Sequence, residues 1–250
     1  MRRALLCLLG AAGLAALLAA GPACAQDIPL VQATPAGGGA TSYTVPVQTV
    51  LLLTAMGFLP SALMLMTSFT RILIVFSLLR QALGLQSMPP NTVLVALSLF
   101  LTLFVMHPVF EEMHDTAWRP YVKKQIGLEQ ALDVGSRPLK VFMLNHTRDS
   151  DLQLFSRLAR EPLTDRESVP LRVAVPAFAL SEIRTGFLIG FVIFLPFVVI
   201  DLAVASILTS VGMVMVSPVM FSLPLKLIIF ALADGWSLLA GALVESFVVR

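Results

Sequence analysis

The stretch GFLIGFVIFLPFVVIDLAVASILTSV, residues 186–211, decides the class of fold, because Asp201 is its single charged residue. About 20 consecutive apolar residues are enough for an α-helix to cross the hydrocarbon core of a bilayer. The whole chain is 57% hydrophobic and 13% charged, whereas soluble domains carry about 25% charged residues. We therefore expect lipid, rather than a soluble core, to surround much of this protein.

Three further segments are apolar and long enough to cross a membrane, namely residues 47–66, 92–110 and 223–244. Together with the first stretch they form two pairs, each joined by a short connection. The sequence therefore predicts an all-α membrane protein built from two helical hairpins, which occupy residues 45–110 and 176–250.

A polar insert, residues 111–175, separates the two pairs and holds nearly all the charges that remain after the N-terminus, with both signs mixed. Within it, Ser150 precedes apolar residues at helical spacing, which predicts an amphipathic helix capped by that serine. We expect a small, mostly helical, water-facing subdomain, and its composition indicates no function of its own.

The N-terminus has the three parts of a secretory signal peptide. Two arginines precede an uncharged core rich in Leu and Ala, and small residues follow at positions 23–25. This pattern predicts a signal peptide over residues 1–25 that is cleaved between Ala25 and Gln26. An uncleaved signal anchor is the main alternative, and a lipoprotein cysteine at Cys24 is a second one.

Cleavage would place the new N-terminus outside the cytoplasm and hence the polar insert in the periplasm of a bacterial inner membrane. Residues 26–44 are rich in Pro, Gly, Ala and Thr and predict a flexible lead-in. The short loop expected after the first apolar segment carries Arg71 and Arg80 and no acidic residue, which fits the cytoplasmic side.

Charge and residue usage exclude several classes of chemistry. The chain has 17 basic and 15 acidic residues, and the two extra basic ones lie in the predicted signal peptide. The balance that remains gives no reason to expect nucleic acid as a partner. Both cysteines also precede the predicted cleavage site, the three histidines are scattered, and no Gly-rich phosphate loop occurs. We expect no metal, no cofactor and no bound nucleotide.

Three charged residues lie inside the apolar segments: Asp201, Lys226 and Asp234. A charge near the middle of a bilayer costs roughly 2.5–3.5 kcal/mol on insertion scales, so each needs a partner or water. Two interpretations stay open, a pore or proton path on the one hand and structural ion pairs between helices on the other.

A simple antiparallel hairpin that turns near Ser217 allows the pairing to be predicted. Asp201 would then be level with Asp234, and Lys226 would be level with Thr209. This register disfavours an Asp201–Lys226 pair within one chain. We therefore expect Lys226 to meet an acid of another subunit or of a broken helix, which favours an oligomer.

The turn itself, GMVMVSP at residues 212–218, contains Met213 and Met215 and no charge. Methionine side chains are flexible and fill irregular spaces. A ring of such turns from several subunits would form a deformable apolar seal, whereas in a single subunit the two methionines would be ordinary packing residues.

Long strings of this sequence resemble the FliP family of the flagellar type III export gate. They are FLPSALMLMTSFTRILIVFSLLRQALGLQSMPPN (58–91), VPAFALSEIRTGFLIGFVIFLPFVVIDLAVAS (175–206) and LPLKLIIFALADGW (223–236), with the methionine turn between the last two. The resemblance extends from about residue 47 to the C-terminus. It implies a non-enzymatic, pore-forming core subunit in the flagellar basal body, whose apolar segments form broken hairpins.

The resemblance also implies partners. Subunits of this family assemble with one another, with FliQ and FliR, and with the FlhA and FlhB components of the export apparatus. Unfolded flagellar proteins pass through the assembly, which is embedded in membrane lipid.

By position, the resemblance assigns roles to several residues. Met213 and Met215 fall in the family's gasket, although Val214 interrupts the richer methionine run. Glu182 and Lys226 occupy the positions of a charged pair near the gate. Asp201 falls at the position of an acidic residue that lies within the membrane in this family.

Three alternatives remain. A virulence injectisome uses an equivalent subunit, and a small-solute channel or transporter would also suit charges within the membrane. An intramembrane aspartyl protease would need Asp201 and Asp234 to face each other and share a proton, although neither lies in a Gly-x-Gly-Asp sequence.

Overall fold

A computed structural model describes residues 32–36, 40–44, 47–161, 165–166, 168–213 and 215–248. The predicted signal peptide and its cleavage site between Ala25 and Gln26 lie outside these residues. Contacts divide the chain into two compact units, and the boundary along the sequence falls between Pro60 and Ser61.

The N-terminal unit contains two short antiparallel strands, β1 (Gln32–Ala36) and β2 (Ala40–Thr44). Gln32 pairs with Thr44 at one end of the ladder, and Ala36 pairs with Ala40 at the other. These strands lie within the segment predicted as a lead-in. Helix α1 (Val47–Leu65) begins in this unit.

Helices make up the described secondary structure of the second unit. They are α2 (Phe69–Ala82), α3 (Asn91–Met113), a π-helical turn (His114–Trp118), α4 (Arg119–Val122), α5 (Leu128–His146), α6 (Asp149–Ala159), α7 (Leu171–Ser210), α8 (Pro218–Leu232) and α9 (Gly235–Val248). By length and apolar composition, Asn91–Val122 and Leu171–Ser210 could each cross a membrane, and bent helix pairs raise the number of candidate spans to as many as 4. The predicted all-α membrane class is confirmed.

One of the predicted spans is broken. The first, residues 47–66, corresponds to the single helix α1, whereas the last, residues 223–244, divides into α8 and α9, which are bent by 63° at Asp234. The expected short loop with Arg71 and Arg80 is wrong, because these residues lie in helix α2. Apolar residues at helical spacing, Ile72, Val75 and Leu79 among them, give this segment one buried face.

Helix α2 packs closely against the long helix α7 at two glycines spaced four residues apart. A methyl group added to Gly186 would lie 3.1 Å from Ile74, and one added to Gly190 would lie 2.2 Å from Leu78. Small residues with this spacing let helix backbones approach each other within a membrane. The two glycines thereby let α2 pack closely against α7, the helix that also carries Glu182 and Asp201.

The main hydrophobic core joins both hairpins to the polar insert. Its buried side chains include Phe76 of α2, Met106 of α3, Met143 of α5, Phe178 of α7 and Leu243 of α9. The first long helix of the insert, α5, is therefore part of the same core as the apolar helices.

The second helix of the insert, α6, differs from the prediction at its N-terminus. It begins at Asp149, and Arg148 stands at the cap position without a side-chain hydrogen bond to the helix. The prediction that Ser150 caps this helix is therefore wrong. Two aspartates in the first turn, Asp149 and Asp151, place negative charge at the positive end of the helix dipole instead.

Candidate functional site

The turn between α7 and α8 is fixed by hydrogen bonds at the end of α7. Gly212 has φ +83°, a left-handed conformation that glycine adopts readily. Its N–H donates to the carbonyl of Thr209 at 3.0 Å, and the N–H of Met213 donates to Leu208 at 2.9 Å. This pair of bonds is a Schellman motif. Helix α8 then begins at Pro218, a residue favoured at the first helical position.

The two methionines of this turn are not covered by the rest of the chain. Met213 is 41% exposed and Met215 is 101% exposed, and Val214 between them lies outside the described residues. The turn thus presents flexible apolar bulk away from the chain's own core. The gasket role of these residues stays a prediction.

Below the turn, a polar network joins three helices around Asp201. One carboxylate oxygen accepts a hydrogen bond from Lys226 Nζ at 2.6 Å, and the other accepts one from Ser222 Oγ at 2.6 Å. Lys226 also donates to the carbonyl of Ala82 at 3.1 Å, at the end of α2. Carbonyls at a helix end have no donor within their own helix, so this lysine also caps α2.

The prediction that Asp201 and Lys226 do not pair within one chain is therefore wrong. Their midpoint in the sequence falls between Met213 and Val214, whereas the prediction placed the turn near Ser217. The difference is about 3.5 residues, close to one helical turn. The register is shifted because the Schellman motif ends α7 at Ser210 and α8 does not begin until Pro218.

A second charged pair lies deeper in the chain, between α2 and α7. The Arg71 guanidinium binds both carboxylate oxygens of Glu182, with 2.9 Å from Nε to Oε2. Their side chains are 4% and 0% exposed. Bidentate pairs between guanidinium and carboxylate are among the stronger ionic contacts in proteins.

The same guanidinium holds the last turn of α9. Arg71 Nη1 donates to Ser246 Oγ at 3.0 Å, and its Cζ lies 3.8 Å from the centre of the Phe247 ring. His146 of α5 adds a contact of 3.1 Å between Nε2 and the carbonyl of Phe247. Side chains from two other helices therefore bind the end of α9.

The structure does not bring Glu182 and Lys226 together within one chain. Glu182 binds Arg71, and Lys226 binds Asp201. A contact between Glu182 of one subunit and Lys226 of a neighbour stays a prediction.

Asp234 occupies a different environment from Asp201. It lies at the break between α8 and α9 with φ +47° and is exposed, and its carboxylate accepts a hydrogen bond from Ser237 Oγ at 3.0 Å. The expected alignment of Asp201 with Asp234 is wrong, because the shifted register places Lys226 beside Asp201. Each carboxylate therefore has its own partners, which is not the shared-proton geometry of an aspartyl protease.

Sequence reasoning missed Arg71 and Ser222 as members of these networks. Hydropathy predicts Arg71 in a loop, although the apolar residues that follow it at helical spacing indicate an arginine on a buried helix face. Ser222 carries no comparable signal, since serines are common in apolar helices.

Comparison with known proteins identifies the relatives of this chain. The model of the FliP family matches residues 52–243. Flagellar biosynthetic protein FliP of Pectobacterium carotovorum subsp. carotovorum is 51% identical over 232 residues, which cover 92% of this chain and 90% of that protein.

Two further relatives carry the same name. The Bacillus subtilis (strain 168) protein is 49% identical over 205 residues, covering 80% of this chain and 91% of that protein. The protein of Buchnera aphidicola subsp. Acyrthosiphon pisum (strain APS) is 47% identical over 232 residues, covering 92% of this chain but 61% of the longer relative.

Proposed function

The chain belongs to the FliP family, and from this membership we propose that it is a pore-forming subunit of the flagellar type III export gate. In this role it helps to pass unfolded flagellar proteins across the bacterial inner membrane while the flagellum is built. The observation that carries the proposal is the family match, which spans both apolar hairpins and the methionine turn between α7 and α8.

The surface of the single chain supports assembly with other subunits. Large apolar side chains are exposed along α7 and α8, including Phe187, Phe191, Val199, Met220 and Leu232. Exposed apolar area of this extent favours contact with lipid or with other apolar helices. We assign this exposed surface to contacts with lipid and with the helices of other subunits. The subunits form a homo-oligomer that also contains FliQ and FliR and works with FlhA and FlhB.

Within this proposal, the Asp201–Lys226 network holds the hairpin that presents the methionine turn. The network ties α7, α8 and the end of α2 together at a level about two and a half helical turns before the end of α7 at Ser210. Met215 extends from this braced hairpin toward the axis of the oligomer. Several such turns close the conduit around the moving substrate, and their flexible thioethers adapt to its shape.

A complementation experiment tests the proposed function. A flagellated host that lacks its own FliP would receive this chain, and both swimming and secretion of hook and filament proteins would be measured. We expect both to return. A chain that accumulates in the membrane and joins the basal body, yet restores no secretion, would contradict the proposal.

We further propose that the chain reaches the membrane with a cleaved signal peptide, so that its insert lies in the periplasm. Mass spectrometry of the purified protein should find Gln26 as the first residue. Recovery of peptides that begin at Met1 from the assembled complex would contradict cleavage.

A further inference from the structure

Two helix ends meet at the imidazole of His146, the last residue of α5. Its Nδ1 lies 2.8 Å from the carbonyl oxygen of Phe142, one turn back in the same helix, and its Nε2 lies 3.1 Å from the carbonyl oxygen of Phe247 in the last turn of α9. The rings of both phenylalanines also pack against the imidazole, with ring centres 4.5 and 5.3 Å away. His146 is 7% exposed, so its ring is held between α5 and α9.

Both of these partners are acceptors, and this decides how many protons the imidazole needs. A carbonyl oxygen has no hydrogen to donate, and a neutral imidazole carries one N–H. Neutral His146 therefore donates to one of the two carbonyls, while its other nitrogen presents a lone pair to the second. The protonated ring carries an N–H on each nitrogen and donates to both. The carbonyl of Phe247 depends on such a donor, because carbonyls in the last turn of a helix have none within their own helix.

The helices around His146 place both favourable and opposing charges near it. The negative ends of the α5 and α9 dipoles favour a cation, and Glu245, exposed in the last turn of α9, adds a negative charge. Helix α2 brings Arg71, whose guanidinium lies 3.8 Å from the centre of the Phe247 ring. Glu182 of α7 binds that guanidinium with both carboxylate oxygens and offsets its charge. Burial opposes the charged ring, whereas the two carbonyls and the two helix ends favour it.

Two further arginines lie at this end of α5, and both have other partners. Arg166 donates to two carbonyls at the end of α5, at 2.6 Å each, and pairs with Asp149 of α6. Arg148 donates to Thr185 Oγ1 of α7 at 3.2 Å. These guanidinium groups bind other acceptors than the two carbonyls that His146 contacts.

We propose that His146 is a proton-sensitive latch, which fastens the end of α9 to the insert most firmly when its imidazole is protonated. Protonation adds the second N–H, and the ring then bridges the ends of α5 and α9. The added stability is present where the ring is charged, and it is lost as the pH rises and the folded protein releases the proton. Acid on the side of the membrane that the insert faces would therefore tighten this joint, and only this last consequence rests on the proposed periplasmic position.

Hydrogen exchange followed by mass spectrometry tests the latch on the purified full chain in detergent. The peptide that covers the end of α9 would be compared at about pH 8 and about pH 5.5, the range in which histidine titrates, with rates corrected for the intrinsic effect of pH. We expect about tenfold greater protection at the lower pH, because a hydrogen bond from a charged donor shifts an opening equilibrium by at least about that factor. Protection that stays constant, or that falls on acidification, would overturn the proposal.

A matched pair of variants assigns the effect to one histidine. His146→Gln keeps a donor but does not titrate, so its protection should be the same at both pH values. His107→Gln removes a histidine whose side chain is 76% exposed and lies near Glu111, and it should keep the tenfold change. A pH effect that persists in His146→Gln, or that disappears in His107→Gln, would count against the latch.

Nuclear magnetic resonance gives a second measurement that leaves the latch itself unaltered. The chain has 3 histidines, so the variant His107→Gln/His114→Gln keeps His146 as the only imidazole. Its nitrogen shifts should show two N–H groups at the lower pH and one at the higher, and a ring with the same protonation at both would refute the proposal. Swimming of the complemented host reports separately on the export function, so the two ideas can fail independently.

Discussion

Removing one partner of the Asp201–Lys226 pair should lower the free energy of unfolding, and the size of the loss should depend on which partner is removed. Asp201→Asn leaves the Lys226 ammonium with its carbonyl contact to Ala82 but without a carboxylate, and this side chain is 4% exposed. Lys226→Met leaves the Asp201 carboxylate, whose side chain is 34% exposed and which keeps Ser222. The burial of the remaining charge therefore decides which variant is the less stable.

The expected losses of stability follow from this difference in burial. Leaving a buried charge without its partner costs about 3–5 kcal/mol, so we expect a loss in this range for Asp201→Asn. The carboxylate left by Lys226→Met is only partly buried and keeps its hydrogen bond from Ser222, so the loss should be nearer to that of one charged hydrogen bond, about 1.5–3 kcal/mol. Lys226→Met should also weaken the cap on α2, because the carbonyl of Ala82 loses its donor.

Reversible unfolding in detergent micelles measures both variants and the double variant Asp201→Asn/Lys226→Met. The double variant should lose less than the sum of the single losses, with a coupling energy of about 0.5–3 kcal/mol. Asp234→Asn is the matched control, because its carboxylate is exposed and binds only Ser237 among the described residues. Equal losses for Asp201→Asn and Lys226→Met, or additive losses in the double variant, would refute the reasoning.

Two further predictions concern the turn and the packing of α2. Met213→Ala with Met215→Ala should raise ion conductance through the assembled complex, because the seal loses flexible bulk, whereas Met220→Ala on α8 should not; unchanged conductance would defeat the gasket role. Gly190→Leu should destabilise the chain by about 1–3 kcal/mol or more through overpacking against α2, whereas Gly241→Ala, which meets nothing within 4 Å, should cost little. A Gly190→Leu protein with parental thermal stability would contradict the close α2–α7 contact.

Much of the fold follows from the sequence, because hydropathy and segment length set the cost of placing a chain in lipid. The expected second span, residues 92–110, corresponds to α3 (Asn91–Met113). The third, residues 186–211, corresponds to the C-terminal part of α7, which begins much earlier at Leu171. Hydropathy does not detect this extension, because the preceding turns carry charged residues such as Glu182 that are buried through their partners.

The break in the last span was less accessible to sequence reasoning. Residues 223–244 are apolar on both sides of Asp234 and Gly235, which predicts one crossing, whereas the structure ends α8 at Leu232 and bends the chain there by 63°. The loop around Arg71 was predicted because this stretch follows the first apolar segment and carries charges without being long enough for a further span. A pattern of apolar residues spaced three and four apart was present there and was the better signal.

The candidate site was predicted residue by residue but not pair by pair. Asp201, Lys226 and Glu182 were all singled out, and each takes part in a buried ionic network. Their pairing depends on where the turn between α7 and α8 lies, and an error of about one helical turn exchanges the partners. Sequence alone does not fix that register, because the left-handed conformation of Gly212 and the start of α8 at Pro218 decide the length of the connection.

Photo-crosslinking at the methionine turn tests the central claim most directly. A photoreactive phenylalanine analogue would replace Met215, which is fully exposed on the single chain. Cells would also express a flagellar export substrate fused to a tightly folded domain that stalls in the conduit. We predict a covalent adduct between position 215 and the stalled substrate, and much less adduct when the same analogue replaces Leu158 on the insert. Export-competent cells that yield no adduct at position 215 would contradict a conduit lined by this turn.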